Sequence, residues 1–454
     1  MGRFFKFLFA SIGILFLLAL LVVGIACAHS LTYQVPTQDP KIENTTGLVQ
    51  ASGRALYDAN GDILQLIGVN VGQILLQEGW MSPFATEALK NEDGSYVKDD
   101  GDNIQYPEFT EAEFRKALKE NPNLQGYDID ELLRLYWDAF MTEEDFRIIK
   151  EDLQLNTIRF PIYYLNILNE DLTLREDAFS YIDWFIEQAA KNELYIILDL
   201  HGAPGSQNGY EHSGEPGHVA GLWTNDSYLD ATALIWDTIS EHYTNERPDL
   251  GKWIATYDLL NEPTYTYQGF TTRECWDFFD RLYDLIRDNG DQHVITMSGC
   301  WDFINLPDPN EYGWKNVQYQ YHWYNWLHET FTFPIFCIYK DFTNILCNYD
   351  VPVLIGEFTF FENKDAWASA LKLFDDRYYS WTIWNYKTVV TGWWDSSWGV
   401  YTCQLKFVTE WEEVKCNPAT CTYEEYVAVC EKTRTENCVT GTLYEVLQEY
   451  ARRK

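Results

Sequence analysis

The sequence predicts an α/β fold, a (β/α)8 barrel carrying additional segments at both ends. Three observations carry that reading. Eight short runs rich in β-branched and aromatic residues alternate with stretches of helical period, the pattern of a parallel sheet with crossover helices. A chain of 454 residues suits one barrel of about 250 residues plus insertions. No Gly-rich phosphate loop follows the first strand, which weighs against an open nucleotide-binding sheet.

In chain order, Arg3 and Lys6 precede an apolar run from Phe7 to Ala26 interrupted only by Ser11. Such a run is long enough to cross a bilayer core of roughly 30 Å as a helix, and the basic flank keeps its start on the cytoplasmic side. Residues 1–28 are therefore expected to be a membrane anchor or a lipoprotein or secretory signal, and residues 29–48, with Pro36 and Pro40, a linker. The barrel is expected over residues 49–402, with strands at Leu66–Val69, Thr157–Pro161, Tyr195–Leu200, Ile254–Leu260, His293–Met297, Val317–His322, Val353–Glu357 and Ser380–Trp384. Ile182, Phe185, Ile186 and Ala189 place one apolar stripe on a helix between strands, and Trp276, Phe279, Leu282, Tyr283 and Ile286 another, which Asn289-Gly290 should end. Residues 80–140 form a polar insertion far longer than an ordinary connection. Residues 403–454 form a Cys-rich extension closing the barrel, with a last helix around Leu443–Tyr450.

Composition narrows the function. With 33 basic against 69 acidic side chains, a formal charge of -36 excludes a nucleic-acid footprint and electrostatic docking on anionic lipid, leaving the N-terminal segment as the membrane contact. The 18 Trp, 31 Tyr and 26 Phe fill a large core or supply surfaces on which sugar rings stack. Cys403, Cys416, Cys421, Cys430 and Cys438 cluster late without paired Cys-x-x-Cys spacing, so at least two disulfides in an oxidising compartment are expected rather than zinc. Cys337 and Cys347 are a further candidate pair, and Cys275 the candidate free thiol.

Catalytic groups of such a barrel sit at the C-terminal ends of its strands. Those ends carry Arg159, His201, Asn261 with Glu262, His322 with Tyr324, Glu357 and Trp384. Each glutamate ends a strongly apolar strand, where a carboxylate is costly unless paired or functional. Cleaving a glycosidic bond needs one carboxyl as acid and another as nucleophile or base, in different protonation states at one pH. Arg159 near Glu357 would favour its anionic form, Asn261 offers an amide to a sugar 2-hydroxyl, and Trp384 a floor for the sugar ring. Asn208 and Glu211 in the loop after the third strand are candidates to reach substrate, and Trp301, Trp314 and Trp326 are candidate sugar platforms. His212 and His218 lack a carboxylate or cysteine at ligand spacing and are expected to be loop hydrogen-bonders, so no metal is predicted.

The wording and order of these motifs resemble glycoside hydrolase family 5. Ile158-Arg159-Phe160-Pro161 is similar to the family's second-strand motif, and the stretch Leu198-Asp199-Leu200-His201-Gly202-Ala203-Pro204-Gly205-Ser206-Gln207-Asn208-Gly209 to its exo-1,3-β-glucanase branch. Asn261-Glu262-Pro263, His322-x-Tyr324, Gly356-Glu357-Phe358 and Trp384 follow in the family's order, over about residues 50–400. The resemblance implies a retaining β-glycosidase with no cofactor, Glu262 as acid/base, Glu357 as nucleophile, and Arg159, His201, Asn261, His322, Tyr324, Trp384, Asn208 and Trp301 on the substrate. With the N-terminal segment placing the rest of the chain outside the cell, the expectation is an extracellular monomer acting on β-glucans or related oligosaccharides. A β-mannanase, a glycolipid glycosidase and a non-catalytic carbohydrate-binding protein are the alternatives.

Overall fold

The computed structural model describes residue 24 and residues 38–98, 104–301, 303–324, 349–389, 398–403 and 415–453. A small antiparallel sheet opens it, β1 (Gln50–Ser52), β2 (Ala55–Tyr57) and β3 (Ile63–Leu64). Eight strands then close a parallel barrel: β4 (Ile67–Asn70), β5 (Thr157–Tyr163), β6 (Tyr195–Gly202), β7 (Ile254–Asp258), β8 (Val294–Ser298), β9 (Val317–Trp323), β10 (Val353–Phe358) and β11 (Ser380–Ile383). Each pairs with its sequence neighbour, and β11 returns to β4 with Trp381 opposite Ile67. All eight expected strands are present. The two expected helices span Ser180–Lys191 and Arg273–Asp288, the second ending at Asn289 with Gly290 at φ +78°.

The barrel's lower end is plugged rather than open. Val49 and Leu56 pack with Leu66 against Ile197, Ala255, Val294 and Leu354 at the strand starts, so the opening sheet covers apolar surface that water would otherwise reach. This leaves the other end of the strands free for chemistry.

The two segments outside the minimal barrel pack on each other. The insertion forms helices Glu111–Glu120 and Ile129–Phe140, the first started by a Thr110/Glu113 capping box and the second by Asp128. The tail helix Tyr423–Lys432 lies against them: Tyr426 donates its hydroxyl to Leu132 O at 2.7 Å, and Asn121 Nδ2 donates to the carbonyls of Pro418 and Cys421, each at 2.9 Å. The expected last helix is Thr442–Ala451. Three further strands, β12 (Lys387–Val389), β13 (Tyr401–Cys403) and β14 (Cys438–Thr440), tie the tail to the segment after β11.

Cys403 and Cys438 face each other across β13 and β14 and form a disulfide. It is the one bond among the five late cysteines, where two were expected: the thiols of Cys416 and Cys421 hydrogen-bond to each other, and Cys430 is buried on its helix against Tyr426. Cys275 is a buried free thiol, as is Cys300. Among the described residues no helix is long and apolar enough to cross a membrane. The Phe7–Ala26 run apart from residue 24, Trp326, and Cys337 with Cys347 lie outside the described residues.

Candidate active site

The barrel mouth is organised around one buried cation. Arg159, on β5, is fully buried, and its guanidinium meets three carboxylates: Asp258 at 2.8 Å, Asp199 at 3.1 Å and Glu357 at 3.0 Å. It also donates to the side-chain oxygens of Asn70 at 3.0 Å and Asn261 at 2.9 Å. Burying a guanidinium is tolerable only when its donors are matched this fully. Burial pushes Asp199 up to about 7 and Asp258 up to about 6, although Arg159 pulls both down.

Asp199 in turn fixes His201. His201 Nδ1 lies 2.7 Å from Asp199 Oδ2, and its Nε2 lies 3.2 Å from Asn261 Nδ2. Burial, joined by the charge on Arg159, drives the imidazole down to about 3, so it is neutral. Its Nδ1–H donates to the aspartate and its Nε2 accepts from the amide, which holds Asn261 in one orientation. Trp384 stacks on His201, ring centroids 5.4 Å apart and planes 18° from parallel, presenting one face to the cavity.

The two strand-end glutamates have different partners. Glu357, on β10, accepts from Arg159 Nη1 at 3.0 Å and from the Tyr324 hydroxyl at 2.8 Å. Glu262, beyond the end of β7, has His322 Nδ1 2.6 Å from Oε1 and His212 Nε2 3.0 Å from Oε2. Burial alone would raise the Glu262 carboxyl, yet His322 and the hydrogen bonds from both histidines hold it well below the usual carboxylate range. The Glu262 backbone sits at φ +44°, left-handed space that a side-chain-bearing residue enters at a cost. Asn208 and Gln207 hold it there: Asn208 Nδ2 donates to Glu262 O at 3.1 Å, and Gln207 Nε2 to Asn261 O at 2.9 Å. Oxygens of Glu262 and Glu357 and a nitrogen of His322 lie within 4.8 Å of one another. Arg159 and His212 already supply positive charge to these carboxylates, which makes the set a poor cradle for a cation.

Above these groups lies a cavity of about 540 Å³. Glu262, Glu357, Asn261, His201, Tyr324 and Trp384 line its floor. Its wall comes from Glu78 and Trp80 after β4, residues 104–109 of the insertion, Trp398, and Lys415 of the tail. Lys415, itself buried, hydrogen-bonds the carbonyls of Gly79 and Trp80, and its backbone N–H donates to the Tyr106 hydroxyl at 2.9 Å. Burial raises the Glu78 carboxyl to about 8, so at neutral pH it is largely protonated beside the cavity; Trp80 Nε1 donates to it at 2.8 Å.

Of the sequence candidates, Arg159, His201, Asn261, Glu262, His322, Tyr324, Glu357 and Trp384 meet at this mouth. Trp301, 37% exposed, stands at the cavity lip, and Glu211 lines it. Asn208 is buried under Glu262, its amide engaged with Glu262 O and lying 3.0 Å from His212 Nε2. Trp314 is buried away from the cavity, donating to Asp280. Sequence reasoning missed Asn70, Asp199, Asp258, Gln320, whose Nε2 donates to Asp258 at 2.7 Å, Glu78, Trp80, Trp398 and the role of His212. The polar residues within apolar strands were a readable signal for the first three: Asp199 stands two positions before His201, hence on the same strand face. Nothing in the local pattern marked Glu78 or Trp398.

The arrangement is a cluster of two buried glutamates, histidines and an asparagine at the mouth of a barrel, and the comparisons place that barrel in a family. The model of Cellulase (glycosyl hydrolase family 5) matches residues 113–389, so the chain belongs to glycosyl hydrolase family 5. A β-xylosidase of Phanerodontia chrysosporium is 34% identical over 205 residues, 44% of this chain and 40% of that protein. A glucan 1,3-β-glucosidase of Pichia angusta is 32% identical over 233 residues, 51% of this chain and 47% of that protein. The chain thus spans about half the length of these curated relatives. Among solved structures, rutinosidase from Aspergillus niger superposes with a TM-score of 0.54 at 13% identity, covering 80% of this chain and 96% of that one, a likeness of fold.

Proposed function

We propose that the chain is a retaining β-glycoside hydrolase acting on β-glucosidic bonds of β-glucans or related oligosaccharides. The observation that carries the reading is the pair Glu262 and Glu357, with oxygens within 4.8 Å of each other, Glu357 held by Arg159 and Tyr324 and Glu262 by His212 and His322. Retaining enzymes hold their carboxyls about 5–5.5 Å apart, too close for the water an inverting enzyme places between substrate and base. Glu357, which accepts from Arg159 and Tyr324, attacks the anomeric carbon. Glu262 protonates the departing oxygen, and the glycosyl group rests on Glu357. Water then attacks, with Glu262 taking its proton, and Glu357 is released. Asn261, oriented by His201, donates to the 2-hydroxyl, and Trp384 carries the ring's apolar face. The names of the relatives support a β-glucan or β-xyloside substrate.

The same reading puts the enzyme outside the cell, a monomer tethered by residues 1–28 or released from them as a signal, with 49–402 as catalytic domain and 403–454 as its extension. A panel of aryl β-glucosides, aryl β-xylosides and β-1,3-glucan incubated with the full chain tests the activity. Hydrolysis of one of them with retained anomeric configuration is expected; inverted product, or none from any substrate, rejects the reading. Protease shaving of intact cells should release the activity, and activity confined to the cytosol would reject the location.

A further inference from the structure

His212 occupies the short turn Glu211–Ser213 after β6, and its Nε2 faces two groups at once. Glu262 Oε2 is 3.0 Å away and Asn208 Nδ2 also 3.0 Å. An imidazolium donates Nε2–H to the carboxylate. A neutral imidazole accepts there instead, from a protonated Glu262 or from the Asn208 amide, whose Nδ2 also donates to Glu262 O. One proton can therefore lie on either partner across the 3.0 Å contact between Nε2 and Oε2. The Tyr210 ring, stacked at 5.4 Å and 15°, holds the imidazole plane.

We propose that His212 is the proton store of the acid/base, holding on Nε2 the proton that Glu262 delivers to the leaving oxygen. This rests on the reading of Glu262 as acid/base. In the first step the Nε2–H bond breaks and an O–H bond forms on Glu262. That O–H then breaks as the glycosidic oxygen takes the proton, the bond from the anomeric carbon to that oxygen cleaves, and Glu357 bonds the anomeric carbon. In the second step water attacks the anomeric carbon, its proton passes to Glu262 and back to His212 Nε2, and Glu357 leaves. The balance is one glycoside and one water consumed for two hydroxyl products.

The surroundings fit a store. Glu262 faces His212 from beyond β7, Glu78 from the loop after β4, and Glu211 from the same turn. His201 and Asp199 approach from β6, and His322 lies across Glu262 from β9. Burial opposes the charge, but the hydrogen bond and charge of Glu262, with Glu78 and Glu211, outweigh it and lift the imidazole to about 9. Glu262 can then be ionised as a base yet proton-loaded as an acid across a wide pH range, because the pair rather than either group titrates.

Two measurements test this. In the full chain labelled with ¹⁵N-histidine, His212 should titrate above neutrality and fall by about one pH unit or more in Glu262→Gln, since an opposite charge at this range shifts a group by about that much. In kcat/KM against pH on an alkyl β-glycoside, the alkaline limb should move acidward by about one unit or more in His212→Asn and His212→Gln. The formation of the glycosyl intermediate from a dinitrophenyl β-glycoside, which needs no acid, should hardly change. A His212 that titrates below neutrality or ignores Glu262→Gln, or an alkaline limb that stays in place, overturns the proposal. Wild-type protein that cleaves no β-glycoside while His212 remains coupled to Glu262 would instead remove the glycosidase reading.

Discussion

The floor of the cavity and its wall are built in different ways. The floor takes His201, Asn261, Glu262, Glu357 and Trp384 from the ends of barrel strands, over Arg159 of β5, so barrel closure alone brings them together. The wall joins Tyr106 of the insertion to Lys415 of the tail, 309 residues apart, on carbonyls of the loop after β4. A floor of this kind tolerates little change in any side chain, because each partner of Arg159 satisfies a buried charge. A wall held by a few long-range bonds can be altered one contact at a time. The comparison therefore predicts large losses of chemistry from floor substitutions and modest losses of stability or affinity from wall substitutions.

The largest effect should come from Glu357→Gln, with kcat reduced by about 10⁴-fold or more, as when other covalent nucleophiles are removed. Substrate binding, read by calorimetry, should persist, and a variant with near wild-type turnover would break the assignment. Next, Glu262→Ala should lower kcat on poor leaving groups by about 10²–10⁴-fold, the usual worth of general acid catalysis. On a substrate with a good leaving group, where the variant stalls at deglycosylation for want of a base, added azide should restore turnover as the β-glycosyl azide; an α-azide, or rescue confined to Glu357 variants, would reverse the roles.

Wall effects should appear in stability. The Glu78 carboxyl is raised by burial to about 8 in the fold, against about 4.3 in an unfolded chain. Its contribution is complete below the unfolded value and is lost as pH rises toward 8, a difference on the order of a few kcal/mol. Urea midpoints at pH 5 and pH 8 should therefore fall less for Glu78→Gln than for the wild type, and equal falls would contradict the assignment. Smallest, Lys415→Met strips the donor from the carbonyls of Gly79 and Trp80 and should cost about 1–3 kcal/mol. KM should rise with kcat little changed. A kcat loss as large as that of Glu262→Ala would erase the distinction between floor and wall.

The same division separates what was legible in the sequence from what was not. Apolar strand runs ending in Asn-Glu-Pro and Gly-Glu-Phe carry both their secondary structure and their site residue in a few adjacent positions. Asn208 shows the limit of such reading: its place in the loop was visible, but its use as a brace for the Glu262 backbone depends on β6 and β7 lying side by side. His212 looked like an ordinary loop histidine because its partner is fifty residues on. Glu78 and Lys415 could not be read at all, since burial, not residue type, gives each its character. The late cysteines were over-paired for a similar reason: their clustering was visible, but Cys430 turns on its helix toward Tyr426.

The bond from Lys415 to the carbonyls of Gly79 and Trp80 also governs how this chain can be recombined with its relatives. The loop after β4, the insertion and the tail should therefore be exchanged as one unit, although most of the barrel lies between them in sequence. A crossover inside the barrel would give a hybrid whose cavity floor is intact but whose lysine and hydroxyl come from different parents. Shuffled libraries should therefore exchange residues 79–109 and 415–453 together, or leave both in place.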